Sequence, residues 1–183
     1  VTTTGYAALS TSASGKIEIV GGTVSNTSEN AKATIAGNGH GNEIKVSGGT
    51  VNGNIYTGEG LTQLVSGTVN GNIHGGKLQG TSDAYIDLLG ATVNGDIYGG
   101  GDGTEKVNRV DIYLESGSVR NVYGGGLNNS QVGTASIIMY SDVIIESGNI
   151  YGGPNTSGIV DDARVSLLET TINNVYGGGT QGG

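Results

Sequence analysis

One phrase recurs along this chain, and any fold the chain adopts has to accommodate that repetition. Its fullest form is Gly-Ala-Thr-Val-Asn-Gly-Asp-Ile-Tyr-Gly-Gly-Gly at residues 90–101, with close copies at 49–56 and 67–74 and looser ones at 117–123, 148–151 and 171–176. Aligned on the aromatic position the copies read Tyr56, His74, Tyr98, Tyr123, Tyr151 and Tyr176, separated by 18, 24, 25, 28 and 25 residues. Two residues earlier stands Asn54, Asn72, Asp96, Asn121, Asn149 or Asn174, and the residue between is always Ile or Val. A unit this short cannot bury its own apolar face, so it must stack on its neighbours.

Ahead of each copy lies a second apolar run, at 44–46, 61–65, 85–89, 110–114, 137–140 and 165–168, several of them alternating with polar residues and rich in β-branched side chains. That pattern suits half-buried strands. Helix is disfavoured by the 37 glycines, because each one in a helix interior costs about 1 kcal/mol relative to Ala. These features predict an all-β, right-handed parallel β-helix (β-solenoid) of about six to seven coils. Equivalent residues would then lie above one another at roughly 4.8 Å.

No composition break divides the chain, which reads as a single β-solenoid domain over residues 1–183, with 1–15 an N-terminal strand or cap, 16–179 the coils and 180–183 a tail. The uneven spacing predicts loops at 81–83, 102–108, 127–134 and 154–162. One internal ladder is expected from Ile55, Ile73, Ile97, Val122, Ile150 and Val175, and a second from Val24, Val51, Val69, Val93, Val119 and Ile172. Strand alternation would then turn the aromatic residues and the Asn series outward or to a corner, where amides can bond from coil to coil.

Sixteen acidic residues against eight basic ones give a net charge of −8 with no basic run. Nucleic acid and anionic membrane surfaces are therefore not expected partners, since both require clustered Lys and Arg. No apolar run approaches the roughly 20 residues of a membrane-spanning helix. Cysteine is absent, so no thiol chemistry is available. The acidic balance, the abundance of Gly, Thr, Asn and Ser, and a start at Val1 rather than Met together suggest a secreted, processed chain.

The phrase Gly-Gly-Thr-Val-Asn-Gly-Asn-Ile-Tyr at 48–56, with Gly-Gly-Gly at 99–101, resembles the glycine-rich repeats of secreted and surface-anchored bacterial β-helix proteins, including adhesins and autotransporter passenger regions. The resemblance spans about residues 17–179. It implies an extracellular or cell-surface location, and a fold that carries stalks, adhesins, polysaccharide-degrading enzymes and self-assembling fibres alike.

Candidate sites follow from what the repeated residues can do. Tyr56, His74, Tyr98, Tyr123, Tyr151 and Tyr176 form an aromatic ladder, which serves either as a structural stack or as a row of rings for glycans. End-to-end self-association would use Val1, Thr2, Thr3, Thr4, Tyr6 and Leu9 at one end, folded back or donated to a neighbour, and Val175 and Tyr176 at the other. Asp102, Asp161 and Asp162 are the weak candidates for a structural Ca²⁺; no other metal and no cofactor is expected. Asp87, Asp96, Asp111 and Glu115 are the acids that adjacent coils would gather, and His40 lies in a glycine-rich turn. None of these groupings has the form of a catalytic set. The expectation is a non-catalytic extracellular structural protein, a β-solenoid that stacks end to end as a filament subunit or forms a segment of a surface stalk. The alternatives are a carbohydrate-binding adhesin and a polysaccharide-degrading β-helix enzyme.

Overall fold

The computed structural model describes residues 2–3, 7–28, 31–76 and 81–180, and among these there is no α-helix. The chain winds as a β-solenoid with two parallel sheets facing each other across an apolar core. The long-strand sheet contains β1 (Thr2–Thr3), β3 (Lys16–Ile19), β4 (Thr23–Asn26), β6 (His40–Asn52), β8 (Glu59–Asn70), β10 (Thr81–Val93), β12 (Lys106–Val119), β14 (Ser130–Ile145) and β16 (Gly158–Leu167). The short-strand sheet contains β2 (Leu9–Thr11), β5 (Ile35–Gly37), β7 (Ile55–Tyr56), β9 (Ile73–His74), β11 (Ile97–Tyr98), β13 (Val122–Tyr123), β15 (Asn149–Tyr151) and β17 (Asn174–Tyr176). Order in each sheet follows chain order, with β3 and β4 both pairing with β6.

Each coil is thus one long strand, a tight turn at the Asn-Gly position, one short strand and a glycine-rich return. The long strands bend partway, where the ladder registers slip near Val46–Thr50 and Leu88–Thr92. Gly49, Gly67, Gly90 and Gly117 mark the bend with φ of 75°, 90°, 154° and 103°, a region that a side chain with Cβ adopts only under strain.

Inside, the first predicted ladder is present and begins one coil earlier. Ile35, Ile55, Ile73, Ile97, Val122, Ile150 and Val175 are partners in unbroken register. The second runs Val24, Val51, Val69, Val93, Val119 and then Ile145. Ile145, not Ile172, therefore occupies the sixth rung. Ile172 only packs partly against the core, because the last coil leaves a recess of about 100 Å³ beside Met139, Val143 and Ile145. One polar rung, Thr62, lies among these aliphatic rows and is satisfied by Thr57 across 2.9 Å.

The predicted loops are shorter than expected and sit earlier in each repeat. Residues 81–83 belong to β10, Lys106 onward to β12, Ser130 onward to β14 and Gly158 onward to β16, because added residues extend the pairing wherever a neighbouring strand offers partners. At the N-terminus Thr2–Thr3 pair with Ser25–Asn26 and Leu9–Thr11 with Ile35–Gly37. These residues pair within their own chain as a first partial coil, and Leu9 packs on the core. In the single chain this is the folded-back arrangement of the two that the sequence allows.

Candidate functional site

The aromatic ladder is the most regular feature of the molecule. Parallel pairing of the two-residue strands places each ring over the next, at centroid separations of 4.5 Å (Tyr56–His74), 5.2 Å (His74–Tyr98), 5.1 Å (Tyr98–Tyr123), 4.8 Å (Tyr123–Tyr151) and 4.8 Å (Tyr151–Tyr176). All five pairs are stacked, so the ring faces are occupied by other rings. Relative exposure is 2% for Tyr56, 1% for His74, 3% for Tyr98 and 5% for Tyr123. Of the two expected positions, outward or at a corner, this burial excludes the open outer face: only Tyr151 and Tyr176 retain accessible surface, Tyr176 at 44%.

Strand alternation sends Ile inward, Tyr to the other side and the following glycine inward again. Coil packs on coil there too closely for any side chain, since a Cβ on Gly99 would lie 2.2 Å from the Gly124 carbonyl oxygen and 2.7 Å from Val110 Cγ1, and one on Gly124 would lie 2.2 Å from the Gly152 carbonyl oxygen. On the other side Asn155 reaches the ladder, donating from Nδ2 to the Tyr98 hydroxyl at 3.2 Å.

Polar rows run beside the ladder. Asn70 Nδ2 donates to Asn52 Oδ1 at 2.8 Å and Asn94 Nδ2 to Asn70 Oδ1 at 2.7 Å, so a coil-to-coil amide chain runs along the Asn-Gly turns and not, as expected, along the series from Asn54 to Asn174, where amide meets amide at Asn174 Nδ2 to Asn149 Oδ1, 2.9 Å. In the next row Asn72 N donates to Asn54 Oδ1 at 2.9 Å and Asp96 N to Asn72 Oδ1 at 3.0 Å.

Asp96 breaks that row. Its carboxylate accepts from Arg120 Nε at 2.8 Å and Nη2 at 2.7 Å, from Tyr98 Oη at 2.8 Å and from Asn121 Nδ2 at 2.9 Å. Burial by itself raises the Asp96 pKa, but the donors from Arg120, Tyr98 and Asn121 outweigh it and hold the group below its usual value. Four donors and a forked Arg make Asp96 a saturated structural anion. It is buried at the corner, apart from Asp87, Asp111 and Glu115, which line the outer face of the long-strand sheet. The four acids do not gather.

His74 is the opposite case. Neither ring nitrogen has a hydrogen-bond partner among the described residues. Desolvation pushes its pKa down to about 4 against the weaker pull of Asp102 and Asp96. A neutral imidazole sandwiched between Tyr56 and Tyr98 can stack and is poorly placed to take a proton.

The Ca²⁺ candidates are dispersed. Asp102 Oδ1 accepts from Asn128 Nδ2 at 2.5 Å, while Asp161 and Asp162 are exposed within β16, not in a loop as expected. No group of three or more His, Asp or Glu side chains suited to a metal occurs among the described residues. Of the end residues, Val175 is 43% exposed beside Tyr176; Val1, Thr4 and Tyr6 lie outside the described residues, as do the side chains of Thr2 and Thr3.

Sequence reasoning missed a recess on the outer face, formed by His40, Gly41, Glu59, Gly60, Asp83 and Tyr85 from three successive coils. Its residues occupy different positions of the repeat, so no periodic signal marked them. The available signal was Asp83, Tyr85 and Asp87 alternating along one strand. The chain matches no family model, and comparison with curated proteins and with solved structures returns no match.

Proposed function

We propose that this protein is a non-catalytic structural β-solenoid of the extracellular space or cell surface, a filament subunit or a segment of a stalk. The observation that carries this reading is the register itself. One ladder of seven aliphatic partners from Ile35 to Val175 and one of stacked rings from Tyr56 to Tyr176 run the length of the coils. The side chains that define the repeat therefore work on one another, and what they build is a straight, stiff body of any length the sequence encodes.

The final coil supports continuation. Leu167, Leu168, Val175 and Tyr176 are 38–44% exposed there, and a further coil laid on β16 and β17 would cover them, whether from the same polypeptide or from a second copy. Electron microscopy of the purified protein tests the reading, with rods or fibres one solenoid wide as the expected result. Val175→Glu with Tyr176→Glu should shorten them to single particles that keep the β-rich circular dichroism spectrum, with some loss of melting temperature from the Tyr151–Tyr176 stack. Compact particles at every concentration, together with release of reducing sugar from a polysaccharide, would replace the structural reading with an enzymatic one.

A further inference from the structure

The outer face of the long-strand sheet does not repeat. At the register position shared by Glu43, Leu61, Tyr85, Asp111, Ser136 and Arg164 the side chain changes at every coil, so stacking imposes no identity there. On this face β10 presents Asp83, Tyr85 and Asp87 at alternate positions, a ring 40% exposed between two carboxylates. Next to it, His40, Gly41, Glu59, Gly60, Asp83 and Tyr85 enclose a recess of about 160 Å³, the space of roughly five waters.

Both carboxylates are short of hydrogen-bond donors. Asp83 Oδ1 is buried with no partner among the described residues. Asp87 is half-buried and receives a long bond from Gln63 Nε2 at 3.3 Å; burial raises its pKa, and Glu115 adds to the rise. Acceptors withdrawn from water without donors weaken a fold, and two of them flanking an exposed ring beside a recess mark a place where a ligand supplies what the protein does not.

Positive charge is already supplied. Arg109 stands opposite Asp83 in register, with its Nη2 2.6 Å from Asp111, and its cationic form is favoured first by Asp111 and further by Tyr85 and Asp83. His40 Nδ1 lies 2.6 Å from Glu59. What is lacking is neutral donors, and a molecule with several hydroxyl groups and an apolar C–H face provides them. We propose that this recess is a subsite for a neutral sugar residue, whose hydroxyls donate to Asp83 and whose C–H face lies against Tyr85. The aromatic ladder takes no part in it, since its rings face one another.

Saturation-transfer NMR and calorimetric titration of the full chain would test this, with methyl glycosides of glucose, galactose, mannose, fucose, rhamnose and N-acetylglucosamine as probes and ethanolamine as the cationic comparator. At least one glycoside should bind, and Asp83→Ala or Tyr85→Ala should weaken that binding by about tenfold or more at unchanged melting temperature. Asp83→Asn, which keeps the shape, should also weaken it, whereas Tyr176→Ala should not. Failure of every glycoside at about 50 mM, tighter binding of ethanolamine than of any glycoside, or unchanged affinity in the Asp83 and Tyr85 variants would each overturn the proposal.

Discussion

Tyrosines occupy two regions of this molecule under opposite rules. In the ladder the aromatic returns at the same point of every coil, is stacked on its neighbours and, from Tyr56 to Tyr123, is buried. On the outer face Tyr85, Tyr113 and Tyr140 sit at different points of their coils, and Tyr113 meets Tyr140 at 58° instead of stacking. In the ladder identity is set by the neighbour above and below, so repetition there reports a structural demand. On the outer face no neighbour dictates the residue, and the unmet polar groups collect where the repeat is silent. In a solenoid, departure from the repeat is therefore the better guide to a binding site.

The contrast can be broken most severely from the inside. Ile97→Asp places an unpaired charge in a fully buried aliphatic row, a loss above about 5 kcal/mol. Circular dichroism should find the central coils unfolded, and a native spectrum would sink the assigned register.

Next comes the ladder. Tyr123→Ala removes a buried ring between two others and should cost about 3–5 kcal/mol in a denaturant melt. A loss below 1 kcal/mol would mean that the stack contributes little beyond filling space.

His74 sharpens the comparison by pH. Its folded pKa near 4 lies below the ordinary 6.5, so the unfolded chain takes up a proton that the folded one refuses. Stability should therefore fall as pH drops from about 6.5 to about 4 and level off below, by roughly 3 kcal/mol in all. His74→Tyr should remove this step while leaving the later loss as Asp96 protonates, which begins below its ordinary 3.8. Thermal melts across that range would check it, and an unchanged step in the His74 variant would place its origin elsewhere.

The smallest effects belong to the outer face. Tyr85→Ala should change stability by less than about 0.5 kcal/mol, and Asp87→Asn should stabilise slightly at neutral pH by removing a half-buried charge, by less than about 1 kcal/mol. A large loss from either substitution would make this face part of the core architecture and end the contrast.

Much of this was legible in the residues. Tyr56, His74 and Tyr98 with their preceding Ile announced stacked coils because side chains that must contact their own copies keep their spacing. An amide chain was expected along the series from Asn54 to Asn174 and formed instead at Asn52, Asn70 and Asn94, because their side chains lie above one another at the turn. The burial of Tyr98 was not legible, because period-two alternation separates the two sides of a strand and does not say what covers each, and the residue that reaches Tyr98, Asn155, stands 57 residues away. Ile145 escaped notice because the copy ending in Tyr151 keeps only Gly-Asn-Ile-Tyr of the phrase, and the Asp96–Arg120 pair did so because its partners lie 24 residues apart in rows that look like simple Asn variants.

Sequence alone determined that this chain must be a β-solenoid, most rungs of two of its core rows and that the coils follow chain order, since repeated short apolar units have nowhere to bury themselves except against one another. Only the tertiary structure decided which side of the corner the rings take and which unrelated residues of neighbouring coils meet outside. Both depend on how the segments between strands lie against neighbouring coils and how insertions shift one strand against the next, and those are distances between segments that no single repeat contains.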